Sequence, residues 1–247
     1  MLRRLLMYVF FKFIFVSLIF VSCTTVSEIN LQDNMSGTSS LVFNVNKEFE
    51  KIRKELATTL VGEEAAKLPL FPIDAIRQYF GGEGKKLGLK LLALKSNGDS
   101  LELRIQFDDL VKVVKKYLIN ETMPIFGIKS NNGRNILDFN FNLENVTRVI
   151  NENREYVNDA FAALLPSEEI PMSEKEYKDV LVYFLSDFTS HANELIDNSN
   201  ILVRIKTSRK LQEQFGFKQI NPNTLELKLD MIRTLSLETP IKLRLVY

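Results

Sequence analysis

Two hydrophobic periods alternate along the chain, and the switches between them mark its elements. Leu101, Leu103, Ile105 and Phe107 recur at every second position, as in a strand with one buried face. Leu89 to Ser96 precedes them, and Asn97-Gly98 between the two runs is a strong hairpin signal. A helix then starts from Asp108 or Asp109 and runs to Leu118. This strand–turn–strand–helix unit recurs. One copy starts near Val26, turns over Asp33 to Gly37, and continues as a strand over Leu41 to Val45. Its helix places Phe49, Ile52, Arg53 and Leu56 at three- and four-residue steps behind Asn46. Another copy joins Ile125 to Ser130 with Ile136 to Phe141 across Asn131 to Gly133, then a helix over Glu144 to Ile150. Lys95-Ser96 and Lys129-Ser130 precede these two turns, and Phe107 and Phe141 close the second strands, at an offset of 34 residues. A looser copy pairs Ile201 to Lys206 with Leu225 to Leu229 and a helix over Asp230 to Leu235. Pro240 to Tyr247 alternates as a last strand.

The predicted fold is therefore α+β: an antiparallel sheet of about seven to nine strands, built from repeated hairpin-helix units, with helices mainly on one face. Two insertions interrupt the units, at 61–88 and 151–200. The second is helical. Ser173 and Glu176 form a capping box, and Tyr177, Val180, Leu181, Phe184, Phe188, His191 and Leu195 predict one helix over 173–196 with an apolar stripe. The first insertion is unusually apolar for a connection. Leu70, Phe71, Ile73, Ile76, Tyr79 and Phe80, together with Leu68, fit either a buried plug over the sheet or a lid over an apolar cleft.

The first two dozen residues follow neither period. Arg3, Arg4 and Lys12 are followed by an apolar run from Phe13 to Val21, then Ser22 and the only cysteine, Cys23. This is the basic, apolar and small-residue order of a secretory signal. As a membrane-spanning helix the segment needs Lys12 inside the bilayer, at a cost of about 2.5–3.5 kcal/mol, and the run after Lys12 is too short to span. Phe20-Val21-Ser22-Cys23 resembles a lipobox, with Phe20 where Leu is usual, as in the looser lipobox of spirochaetes. The resemblance implies a signal peptide over 1–22 and a single domain over 23–247, anchored in the membrane by acyl chains on Cys23. Two or three chains give durable binding where one is marginal. With its Gly-containing hairpin at Asn34 to Gly37 and its late strands at Leu225–Leu229 and Ile241–Val246, the chain is similar to uncharacterised spirochaete envelope lipoproteins. The first hairpin is also similar to that of actinobacterial LppM-type lipoproteins. Neither likeness implies an activity.

Composition narrows the chemistry. Removing Arg3, Arg4 and Lys12 takes the basic residues from 32 to 29 against 31 acids, a net charge of about −2. That disfavours nucleic acid as a partner. Eighteen Phe and no Trp read as core filling. With one Cys and one His, sites built on several sulfur or imidazole ligands are not available, and no Asp-x-Asp-x-Asp-Gly calcium loop occurs. No cofactor is expected. His191 lies on the predicted apolar stripe, which makes it a partly buried structural residue. Gly81 to Lys86 lacks the order of a phosphate loop and follows a helix, so it reads as a helix stop and loop. Glu168 and Glu169, between Pro166 and Pro171, read as a solvated loop, and Lys112, Lys115 and Lys116 as the wet face of a helix. The expected role is a non-enzymatic binding or assembly component of the cell envelope, close to the membrane on its extracytoplasmic side, with other envelope proteins or lipids as partners. The alternative is a carrier of a lipid or other apolar ligand between sheet and helices.

Overall fold

Four asparagine or aspartate side chains turn the chain from strand into helix. The computed structural model describes residues 23–60, 62–117, 119–120, 123–131, 133–152 and 164–247. The expected signal over 1–22 lies outside the described residues, as does part of the second insertion. Strands β1 (Cys23–Leu31) and β2 (Gly37–Val45) form the first hairpin, and Asn46 then accepts from the Glu48 amide at 2.9 Å to open α1 (Lys47–Leu60). Beyond α2 (Glu63–Lys67), α3 (Ile73–Gly81) and α4 (Glu83–Lys86), the second hairpin pairs β3 (Leu89–Ser96) with β4 (Ser100–Phe107) in antiparallel register. Asp109 accepts from the Val111 amide at 2.8 Å and starts α5 (Leu110–Tyr117). A two-residue ladder of β5 (Ile119–Asn120) with β6 (Met123–Pro124) precedes the third hairpin, β7 (Phe126–Asn131) and β8 (Arg134–Phe141). Asn142 accepts from the Asn145 amide at 2.7 Å and opens α6 (Leu143–Glu152). Each cap satisfies an amide that the first helical turn leaves without a partner.

The chain continues through α7 (Glu174–Ser186) and α8 (Ala192–Asp197) to β9 (Asn200–Thr207), β10 (Glu213–Phe215), β11 (Lys218–Asn221) and β12 (Thr224–Asp230). Asp230 accepts from the Arg233 amide at 2.7 Å to start α9 (Met231–Ser236), and β13 (Ile241–Val246) follows. The fourth unit thus pairs β9 with β12 antiparallel, with β10 and β11 between them in the chain.

Among the described residues the large sheet has seven strands in the order β11-β12-β9-β1-β2-β4-β3, largely antiparallel, with β1 and β9 as a parallel pair. The third unit does not join it. β7 and β8 belong to a second, four-stranded sheet, β10-β13-β8-β7, so the expectation of one sheet for all units is corrected. The final strand lies inside this second sheet, between β10 and β8.

Alternation along β1, β2, β4, β9 and β12 sends Glu28, Glu102, Arg204 and Glu226 to one face of the large sheet, where Arg204 bonds Glu226 at 2.9 Å and Glu28 at 3.4 Å. The other face is apolar and is covered by the second sheet and the helices. The largest cluster joins Leu31, Phe107, Ile205 and Leu225 to Leu137, Leu245 and Tyr247 of the second sheet. A second cluster is helical, built from Ile52, Tyr177, Leu181, Leu195 and Ile232. Burial pushes the Tyr177 phenol upward in pKa. A third cluster holds Phe43, Val45, Phe49, Phe71 and Leu101.

Candidate functional site

The Cys23 end of the large sheet is fixed by register. Cys23 stands opposite Val45, and Thr24 stands beside Asn200 on β9. The Val45 amide donates to the Asp99 carbonyl at 2.8 Å, which brings the Asn97–Asp99 turn to the same end. Asn200 in turn pairs with Asp230. The sequence predicts the first strand from Val26. It begins three residues earlier, at Cys23, because β2 supplies a partner from Cys23 and β9 from Thr24. Backbone groups with ladder partners on two sides have no reason to leave the sheet.

The first insertion packs against the face that carries the core. Phe71, Ile76 and Tyr79 are buried, and Leu70, Ile73 and Phe80 are half-buried. Phe71 meets Phe43 edge-on at 5.7 Å, and Tyr79 meets Phe80 at 5.2 Å. Leu70, Phe71 and Ile73 join the cluster around Phe43 and Leu101, whereas Tyr79 and Phe80 join the one around Leu89 and Phe107. The segment 70–80 therefore runs from one packed block to another. Gly81 ends α3, and Glu83–Lys86 folds as a single helical turn in which Lys86 pairs with Glu83 at 2.6 Å. Lys112, Lys115 and Lys116 are exposed, as their spacing predicts.

His191 is a correction. The helix predicted over 173–196 stops at Ser186, and His191 precedes the separate α8 with its side chain 58% exposed. Hydroxyl side chains explain the break. Ser186 Oγ donates to the Tyr183 carbonyl at 2.6 Å, and Thr189 Oγ1 accepts from the His191 amide at 3.0 Å, which offers the backbone alternatives to helical bonds. Tyr177, Leu181 and Leu185 carry the buried stripe of α7. His191 Nδ1 lies 3.3 Å from Glu48 Oε2, and Thr189 Oγ1 donates to Glu48 Oε1. One carboxylate on α1 thus clasps the loop between α7 and α8. It holds the imidazole directly, with no nucleophile between them, so the group lacks the order of an acyl-transfer triad.

The Thr189 hydroxyl, with a smaller contribution from His191, holds the Glu48 carboxyl below its ordinary value of 4.5. A carboxyl depressed by folding contributes stability above its unfolded value and loses it as pH falls through the folded value. Glu48→Gln is accordingly expected to lower the melting temperature at neutral pH. The two proteins should converge in strong acid, where Glu48 is itself neutral. Equal melting at neutral pH would contradict the clasp.

An open cleft of about 490 Å³ lies elsewhere, lined by Asn142, Glu144, Glu168, Ser173, Leu237 and Glu238 among others. Glu144 pairs with Arg148 at 3.0 Å, and Glu238 accepts from the Glu174 amide at 2.8 Å. Both carboxylates sit at helix starts, where the dipole favours them. Among the described residues no three His, Cys, Asp or Glu side chains come together as a metal site. No helix among them is long and apolar enough to cross a membrane.

No family model matches the chain, and no curated protein matches it. The resemblance to spirochaete lipoproteins therefore rests on the residues quoted for it. Among solved structures, the chain is similar to the folded domain of the Mycobacterium tuberculosis LppM protein, determined by NMR. The likeness covers 91% of this chain and 88% of that one, at 7% identity and a TM-score of 0.40.

Proposed function

We propose that the chain is a lipoprotein domain held flush against its membrane through acyl chains on Cys23. In this reading it serves as a non-enzymatic binding or assembly component on the extracytoplasmic side of the cell envelope. The supporting observation is the position of Cys23 at the first rung of β1, in register with Val45. A tether of even four extended residues adds only about 13–14 Å of reach, and here the sheet starts at the anchor itself. Partners must then be membrane-proximal, either another envelope protein or a lipid. Paired or capping roles for His191, Glu144 and Glu238 are in keeping with a non-catalytic role, since each has a structural use.

The test is metabolic labelling with palmitate. Cys23→Ala is expected to accumulate as an unprocessed, unlabelled precursor. Undiminished labelling of that variant overturns the proposal.

A further inference from the structure

The open cleft of about 490 Å³ combines carboxylates with an apolar lining. Among the described residues it is lined by Glu144, Glu168 and Glu238, all exposed, and by no lysine, arginine or histidine. Most of the remaining lining is apolar, with Leu143, Met172 and Leu237 as its larger side chains. Ser236 lines the cleft as well. It is fully buried, and its hydroxyl has no hydrogen-bond partner among the described residues. Ser199, just beyond the end of α8, is almost as deeply buried, and its hydroxyl donates to the Leu195 carbonyl four residues back at 2.8 Å. Ser236, in the last turn of α9, leaves its hydroxyl unused. A buried polar group without a partner is uncommon, and a ligand at the cleft can supply the missing one.

Charge and geometry restrict the ligand. An anion is disfavoured, although α6 and α7 both start at the cleft. Their first-turn amides already donate to Asn142, Ser173 and Glu238, and an anion would meet three carboxylates. A single metal ion is disfavoured too, because the carboxylates do not converge as ligands. They are set apart on a surface whose other groups are largely apolar. A chain of ammonium groups joined by methylene stretches complements that pattern, with its charges on the carboxylates and its stem on Leu143, Met172 and Leu237. Each carboxylate has an oxygen to offer. Glu168 makes no ion pair among the described residues, Glu144 engages Arg148 through Oε1, and Glu238 engages the Glu174 amide through Oε2. The volume lies within the range of small-molecule sites, about 300–1,000 Å³.

We propose that this cleft binds a linear polyamine, with ammonium groups on Glu144, Glu168 and Glu238 and one N–H donated to Ser236 Oγ. The site goes beyond the membrane anchoring proposed above and does not rest on it.

The experiment is calorimetric titration of the full-length chain, in neutral detergent, with spermidine. Saturable binding at one site is expected. Glu168→Gln should weaken it about fivefold, the value of one well-placed exposed ion pair. Ser236→Ala should weaken it by a similar factor, about fivefold for one hydrogen bond, and should leave the melting temperature of the unliganded protein unchanged. Glu102→Gln removes the same charge from the outer face of the large sheet and should leave binding unchanged. Trilysine, equal to spermidine in net charge, should bind more weakly. The proposal is overturned by absence of saturable binding to the unsubstituted protein, by equal losses in Glu168→Gln and Glu102→Gln, or by undiminished binding in Ser236→Ala. Trilysine binding as tightly as spermidine overturns it as well, and assigns the cleft to a basic segment of a protein partner. Palmitate labelling reads the anchor and calorimetry reads the cleft, so the two proposals fail separately.

Discussion

Gly37→Ala is expected to destabilise the domain by about 3 kcal/mol or more, at the upper end for an overpacked site. A Cβ at Gly37 would lie 1.9 Å from the Asn30 carbonyl oxygen and 2.8 Å from Phe107 Cζ. The first obstacle is backbone of the paired strand, and the second is a buried ring of β4. Neither can retreat without opening the hairpin that starts at Cys23. Gly98→Ala provides the contrast. Gly98 has a φ of 98° with nothing within 4 Å of an added Cβ, so only backbone strain remains, about 1–2 kcal/mol. Denaturant melts of both variants check the difference. Equal losses would mean that the close approach at Gly37 does not exist.

Tyr247→Ala should cost about 3–5 kcal/mol, the usual range for deleting a large buried aromatic side chain. The ring is fully buried in the cluster that joins the two sheets. Its hydroxyl donates to the Gln32 carbonyl at 3.1 Å, and its backbone exchanges bonds with Asn135 at 2.8 and 3.1 Å. The Gln32–Met35 turn is held from the other side as well. Asp33 accepts from Arg209 Nε at 2.7 Å and from the Ser208 hydroxyl, and its own carbonyl accepts from Asn135 Nδ2 at 2.8 Å. Tyr247→Phe keeps the ring and loses the hydroxyl's contacts with the Gln32 carbonyl and Met35 Sδ, for about 1 kcal/mol. Thermal unfolding separates the two, and a Phe variant as unstable as the Ala variant would assign the effect to the hydroxyl instead of the packing.

Local chemistry was readable from the sequence, and long-range pairing was not. Asn46, Asp109, Asn142 and Asp230 each cap the helix that alternation followed by Asn or Asp predicts. Asn97 likewise holds its turn through the Ser100 amide at 3.0 Å. These interactions span two or three residues, so a short window contains them. The second and third units share pattern and spacing yet enter different sheets, because β4 finds β2 as a neighbour while β8 finds β13. Nothing within either hairpin encodes that choice. The parallel pairing of Thr24 with Asn200 is equally remote in sequence.

The same limit applies to the candidate site. The apolar insertion over 68–80 stood out by composition, but its two attachment points depend on where Phe43 and Leu89 come to lie. His191 was misplaced because helical spacing continued through residues whose hydroxyls take up backbone bonds.

The most direct test of the proposed membrane-flush seating is spin-label depth in vesicles carrying the processed chain acylated on Cys23, with a label introduced at Asn97→Cys or at Asn34→Cys. The Asn97 turn lies at the Cys23 end of the sheet and Asn34 at the other, about 26 Å away along β1 at ~3.3 Å per residue. Relaxation by a paramagnetic lipid headgroup is predicted to be strong at residue 97 and weak at residue 34. Equal relaxation at both, or stronger relaxation at residue 34, would contradict a domain seated on its membrane by the first rung of β1.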